Sequence, residues 1–222
     1  MPQRYLPRFA DKNYVVGFGV IERRPHFATV IGEIASAWSY AENELGGLFG
    51  ILLGTESPAA HQVFLILRRW ANQRAALDAA AKSKLSGRRL DFYNATTSEY
   101  SALERERNNL LHSCMGICEE DEDMLFAIGV REHVVWQADV IPKLETGTLS
   151  NHPHDGLKES MYVYTMPELV KLKERITEIL SDMLQLNDYL RRPNNAGSGD
   201  RFSKLYNSPR IQRRITALHN KN

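Results

Sequence analysis

The run Arg107-Asn108-Asn109-Leu110-Leu111-His112 places a phosphate-gripping cation five positions before a side chain that titrates near neutral pH. A guanidinium presents a planar fork of donors to phosphate oxygens, and an imidazole can take or give the proton of a ribose hydroxyl. Together they suffice for RNA cleavage without a metal. The spacing sets a condition, because residues five apart on an ideal α-helix point about 140° away from one another. A site within one chain therefore needs the helix to end between the two residues or the arginine to curl. A structural role competes for Arg107, with Glu42 or Glu104 as the partner of an interior ion pair. For His112 the competing role is contact with the last carbonyls of a helix.

The elements that carry this run are mostly helical. Ile31, Ile34, Trp38, Ala41, Leu45, Leu48, Phe49 and Leu52 recur at three- and four-residue steps and predict a long helix from His26, with Glu42 inside the apolar stripe. A carboxylate there needs a partner, since an isolated buried charge is costly. Ser57-Pro58 reads as an N-cap and first helical residue, opening a second helix that extends to about Leu85 and buries Val63, Leu67, Trp70 and Leu77. A third helix from near Arg89 to Leu110 or Leu111, fraying around Asn94 to Ser98, places Arg107 on its apolar side.

Beyond His112 the period shortens. Met115 to Cys118 and Met124 to Val130 flank the acidic run Glu119-Glu120-Asp121-Glu122-Asp123 and predict a β-hairpin, joined by a further extended piece from Val134 to Ile141. A polar loop with Gly147, Pro153 and Gly156 follows. Thr165-Met166-Pro167-Glu168 has the spacing of a capping box and opens a fourth long helix carrying Leu169, Leu172, Ile176, Leu180, Met183 and Leu190. The chain thus divides into an N-terminal arm (1–25), a helical domain (26–192) with a β insertion (115–141), and a flexible basic C-terminal tail (193–222). The linker at the head of that tail, Pro193 to Asp200, offers almost nothing to bury; an amphipathic segment around Ile211 and Ile215 is the alternative to disorder beyond it.

A hydrophobic content of 43% and charged content of 25% over 222 residues are those of one ordinary globular domain with its own core. No apolar run reaches the roughly 18 residues of a membrane span, and Met1 to Arg8 is not a signal peptide, so a cytoplasmic protein with reduced Cys114 and Cys118 is expected. The net charge of +1 conceals an asymmetry. Arg68, Arg69, Arg74, Lys82, Lys84, Arg88 and Arg89 face only Asp78 in their stretch, and the segment from Arg201 adds Lys204, Arg210, Arg213, Arg214 and Lys221. Such clusters hold a phosphate backbone, which makes Arg68, Arg69 and Arg74 the candidate RNA-binding residues; solvated helix faces are the other reading of the same charges.

The Arg107 to His112 run, with the polar Asn108 in second position, resembles the signature of the HEPN superfamily of prokaryotic toxins and defence ribonucleases. The order of long helices from about Ile31 to Leu190, with the motif at the end of the third, is similar to that family's bundle. The resemblance implies a mainly α bundle of about four long helices, with the small β-hairpin inserted between the third and fourth. It also implies a homodimer in which the motifs of two subunits meet across a shared cleft. There Arg107 would hold the scissile phosphate and His112 act as base or acid, beside the polar Asn108, and no metal or other cofactor would be needed; Glu42, if it pairs with Arg107, either serves structure or orients the arginine in that site. A role in toxin-antitoxin or anti-phage defence, with an antitoxin or defence-system partner protein, follows from the same resemblance. The alternative is a non-catalytic HEPN-like module that binds RNA or a protein. His112-Ser113-Cys114 departs from the His-x-Tyr of many toxin members, so the tyrosine that a partner modifies in some of them has no counterpart here.

Other chemistries have little support. His112, Cys114 and Cys118 with His152 or His154 do not have the spacing of common zinc modules, and the acidic run lacks the alternating ligands and glycine of a calcium loop. Walker, dinucleotide-binding and Gly-x-Ser-x-Gly motifs are absent.

Overall fold

The computed structural model describes residues 3–4, 14–55, 57–148, 161–193, 195 and 197–220. It is mainly helical with a small antiparallel sheet. In chain order the elements are β1 (Gln3–Arg4), β2 (Tyr14–Val16), α1 (Pro25–Leu52), α2 (Pro58–Ile66), α3 (Trp70–Lys84), α4 (Arg88–Leu111), β3 (Ser113–Cys118), β4 (Asp121–Gly129), α5 (Val130–Glu145), β5 (Met161–Thr165), α6 (Met166–Arg191), α7 (Ser198–Tyr206) and α8 (Pro209–His219). These residues fall into two compact units, Met1–Ala35 with Arg105–Glu174, and Ser36–Glu104 with Arg175–Asn222.

The first unit is built on a five-stranded sheet in the order β1-β5-β4-β3-β2, with every neighbouring pair antiparallel. The expected hairpin is present, β3 to β4, and its acidic turn is solvated, with Glu119, Glu120, Glu122 and Asp123 exposed. Leu125, Phe126, Ala127 and Ile128 are all fully buried, so β4 is covered on both faces. One face clusters Tyr14, Cys118, Phe126, Ile128, Met161 and Val163, with Trp136 of α5 packed against them.

One expectation fails in this unit. Val134 to Ile141 is not extended; it lies within α5, and the sheet position beside β4 belongs to β5. The Val-Val and Ile residues favour a strand locally, but Val130, Val134, Ile141 and Leu144 also fit a helical period, and pairing with the distant Met161–Thr165 segment decides the matter. The N-terminal arm of residues 1–25 contributes strands β1 and β2 to the sheet, and residues 5–13 of it lie outside those described.

The second unit contains Trp38 and Trp70, ranged against Tyr100 with ring centroids 4.4 and 4.6 Å away. The helix expected from Pro58 to Leu85 is broken into α2 and α3 at Arg68, whose φ of 48° is left-handed. On one straight helix Phe64 and Leu77 would lie about 140° apart, yet both are buried. The break lets both reach the core, and the Gln73 side-chain amide of α3 donates to the Phe64 carbonyl of α2 at 3.4 Å. Val63 is consequently exposed, contrary to the single-helix stripe.

α4 runs unbroken through Asn94 to Ser98. α6 opens as its sequence dictates, with Glu168 accepting from the Thr165 amide at 3.0 Å and from its hydroxyl at 3.1 Å. The segment expected to be a flexible tail is instead two helices, α7 and α8. Phe202, Ile211 and Ile215 are buried, and Arg210 and Arg214 both donate to the fully buried Asp182 of α6. Among the described residues no helix is long and apolar enough to cross a membrane.

Candidate functional site at the end of helix α4

The motif occupies the last turn of α4 and the residue that follows. Arg107 is half-buried, and its Nη1 donates to the side-chain oxygen of Asn108 at 2.8 Å. The neighbouring amide thus positions the guanidinium. His112 is exposed at the junction of α4 with β3, and its backbone N–H still donates to the Asn108 carbonyl at 3.0 Å. The helical hydrogen-bond pattern therefore persists through the motif, and the divergence of about 140° expected on a helix is retained. Ser113 closes the turn by donating its hydroxyl to the Asn109 carbonyl.

Beside the motif opens a cleft of about 410 Å³. Ser113, Cys114 and Met115, the three residues after His112, form one wall; Gly17-Phe18-Gly19 and His133 of α5 form others. Phe18 is 106% exposed, the most solvent-bared large apolar side chain among those described. The sequence shows this stretch only as part of the N-terminal arm. The signal was an aromatic residue held between two glycines.

Tyr164, on β5 in the same unit, is 2% exposed, and its hydroxyl has no hydrogen-bond partner among the described residues. Burial first, and then the charges of Tyr162, Glu106 and Glu168, push its ionisation well above the usual tyrosine range.

The remaining predicted residues belong to the second unit. Glu42 belongs to the second unit and is exposed, whereas Ala41, Leu45 and Leu48 around it on α1 are buried. One residue is about 100° of rotation on a helix, enough to carry Glu42 off the buried stripe and remove the reason for it to pair. Arg68 and Arg69 are exposed at the α2–α3 junction, also in the second unit. Arg74 is already engaged: it donates to Asp78 at 2.8 Å and to the Ser101 hydroxyl at 3.4 Å, and its guanidinium lies 6.0 Å from the centre of the Tyr93 ring. It is a structural cation, whereas Arg68 and Arg69 leave their side chains exposed.

Among the described residues no three His, Cys, Asp or Glu side chains gather as metal ligands; His152 and His154 lie outside the described residues. Cys118 is fully buried and Cys114 half-buried, and both are free thiols. No protein-family model, curated protein or solved structure matches this chain.

Proposed function

We propose that this chain is a metal-independent endoribonuclease of the HEPN type, acting as a homodimer. The observation that carries the reading is Arg107, its fork held by Asn108, five residues before an exposed His112 whose neighbour Ser113 lines an open cleft. The order of α1, the broken α2–α3 pair, α4 and α6, with a hairpin before the last, supports the likeness to that family's four-helix bundle.

In the reaction His112 takes the proton of a ribose 2′-hydroxyl, and the 2′-oxygen attacks the adjacent phosphorus. Arg107 stabilises the charge that develops on the phosphoryl oxygens. The bond to the 5′-oxygen then breaks, and that oxygen leaves with a proton from an imidazolium, giving a 2′,3′-cyclic phosphate and a 5′-hydroxyl. Base and acid are two imidazoles, which the divergence of the motif within one chain favours supplying from two subunits. A place in toxin-antitoxin or phage-defence systems, in the cytoplasm and under the control of a partner protein, completes the proposal.

The test is cleavage of a mixed RNA pool in EDTA by the wild type, Arg107→Ala and His112→Ala, after circular dichroism and sizing show three equally folded proteins. Each substitution is expected to reduce the rate by about 10² to 10⁴. Cleavage that survives in both variants refutes the site. RNA binding without any cleavage by the wild type favours a non-catalytic RNA-binding or protein-interaction module.

A further inference from the structure

We propose that the cleft beside His112 binds an unpaired base of single-stranded RNA, stacked on Phe18, while the phosphate next to that base lies at His112; the proposal rests on the ribonuclease reading for its substrate. Ser113 forms part of the cleft wall and follows His112 directly. Adjacent Cα atoms are about 3.8 Å apart, so a base seated here keeps its own phosphate within reach of the motif.

The cleft has the makings of a base site. Its volume of about 410 Å³ lies in the range of small-ligand pockets. The Phe18 side chain buries itself against nothing, and an aromatic face bared in this way is what sequence-tolerant binding of single strands uses. The loop that carries it is fixed in place: the Gly17 N–H donates to the Met115 carbonyl of β3 at 3.3 Å, and Gly19 takes a left-handed φ of 81° that a side chain would strain.

Charge selects the base over the phosphate. Among the described residues Glu22 is the one acidic or basic side chain lining the cleft besides His133. Its carboxylate repels phosphate and accepts hydrogen bonds from the exocyclic amines of bases. A duplex keeps its bases stacked and paired, so only an unstructured strand can offer one to the cleft.

The experiment uses an unstructured 2′-O-methyl RNA strand, which lacks the attacking hydroxyl and stays intact, and a hairpin of the same composition. Binding is followed by fluorescence anisotropy for the wild type, Phe18→Ala and Phe18→Trp. Alkylation of Cys114 in the cleft wall is followed with and without the strand, Cys118 being fully buried. Phe18→Ala is expected to weaken single-strand binding about 5- to 150-fold, with Phe18→Trp retaining it and the hairpin binding all three proteins alike. The bound strand should slow alkylation of Cys114. Equal single-strand affinity for the wild type and Phe18→Ala, unprotected Cys114, or no binding by the wild type overturns the proposal. Phe18-dependent binding by a protein that cleaves nothing upholds it and refutes the nuclease reading instead.

Discussion

Replacing Asp182 by Asn should loosen the C-terminal helices α7 and α8. The Asp182 carboxylate is fully buried, accepts from Arg214 Nη1 at 2.7 Å and from Arg210 Nη2, and so fastens α8 to α6. Asparagine keeps the volume, removes the charge and turns an amide donor toward one guanidinium. Breaking a buried pair by removing one partner costs about 3 to 5 kcal/mol. Here the side chains of Arg214 and Arg210 are 13% and 29% exposed, and Glu178 still pairs with both at 3.3 and 3.7 Å. The lower end, about 3 kcal/mol, is therefore appropriate, which for a chain of this size lowers Tm by about 6 to 12 °C. Thermal melting followed through the buried Trp38, with limited proteolysis across residues 193–197, reads both effects. Asp139→Asn, which breaks the exposed pair of Asp139 with Lys143, is the control and should move Tm by about 2 °C at most. An Asp182→Asn protein that melts with the wild type and gains no cleavage near the linker would show that the ion pair does not hold the tail.

Two glycines of α1 should respond oppositely to alanine. At Gly50 a Cβ would stand 2.8 Å from the Thr55 carbonyl oxygen, so Gly50→Ala should destabilise by about 1 to 3 kcal/mol, whereas Gly32 is exposed with nothing within 4 Å and Gly32→Ala should stabilise by about 0.4 to 1 kcal/mol; urea midpoints of the same sign for both contradict this. Tyr93 and Tyr164 hold their protons past the usual tyrosine range, chiefly through burial, with Tyr93 also donating to Asp78 at 2.6 Å. Their folded values lie above the unfolded one of about 10, so the stability they contribute is complete below that pH and is lost as pH rises further. Tyrosinate absorbance of the native protein should accordingly leave at least two of the nine tyrosines un-ionised at about pH 11, and joint ionisation of all nine near pH 10 would refute it. Reversing charge at Arg68 and Arg69 should weaken RNA binding and flatten its salt dependence, read by anisotropy across a salt series, whereas unchanged affinity removes that patch from RNA recognition.

Much of the helical framework was legible in local chemistry. The apolar repeat of α1, the Ser57-Pro58 start of α2, the capping box of α6 and the acidic turn between β3 and β4 depend on residues within a few positions of one another, and each formed where the sequence placed it. The Arg107-to-His112 run was legible for the same reason, since its side chains ride on one continuous helix end. Tertiary structure decided what distant residues compete for. β5 took the sheet position that Val134 to Ile141 could have filled, burial of both Phe64 and Leu77 required a left-handed Arg68 where no glycine or proline announces a break, and Asp182 fixed Arg210 and Arg214 of a segment whose sequence allowed either disorder or an amphipathic helix. Glu42 needed only one residue's rotation on α1 to leave the stripe that the sequence drew through it. The cleft beside His112 unites Gly17-Phe18-Gly19, Ser113 to Met115 and His133. Segments so far apart meet only because β2 pairs with β3 and α5 folds back on the sheet, and no local periodicity encodes such long-range contacts.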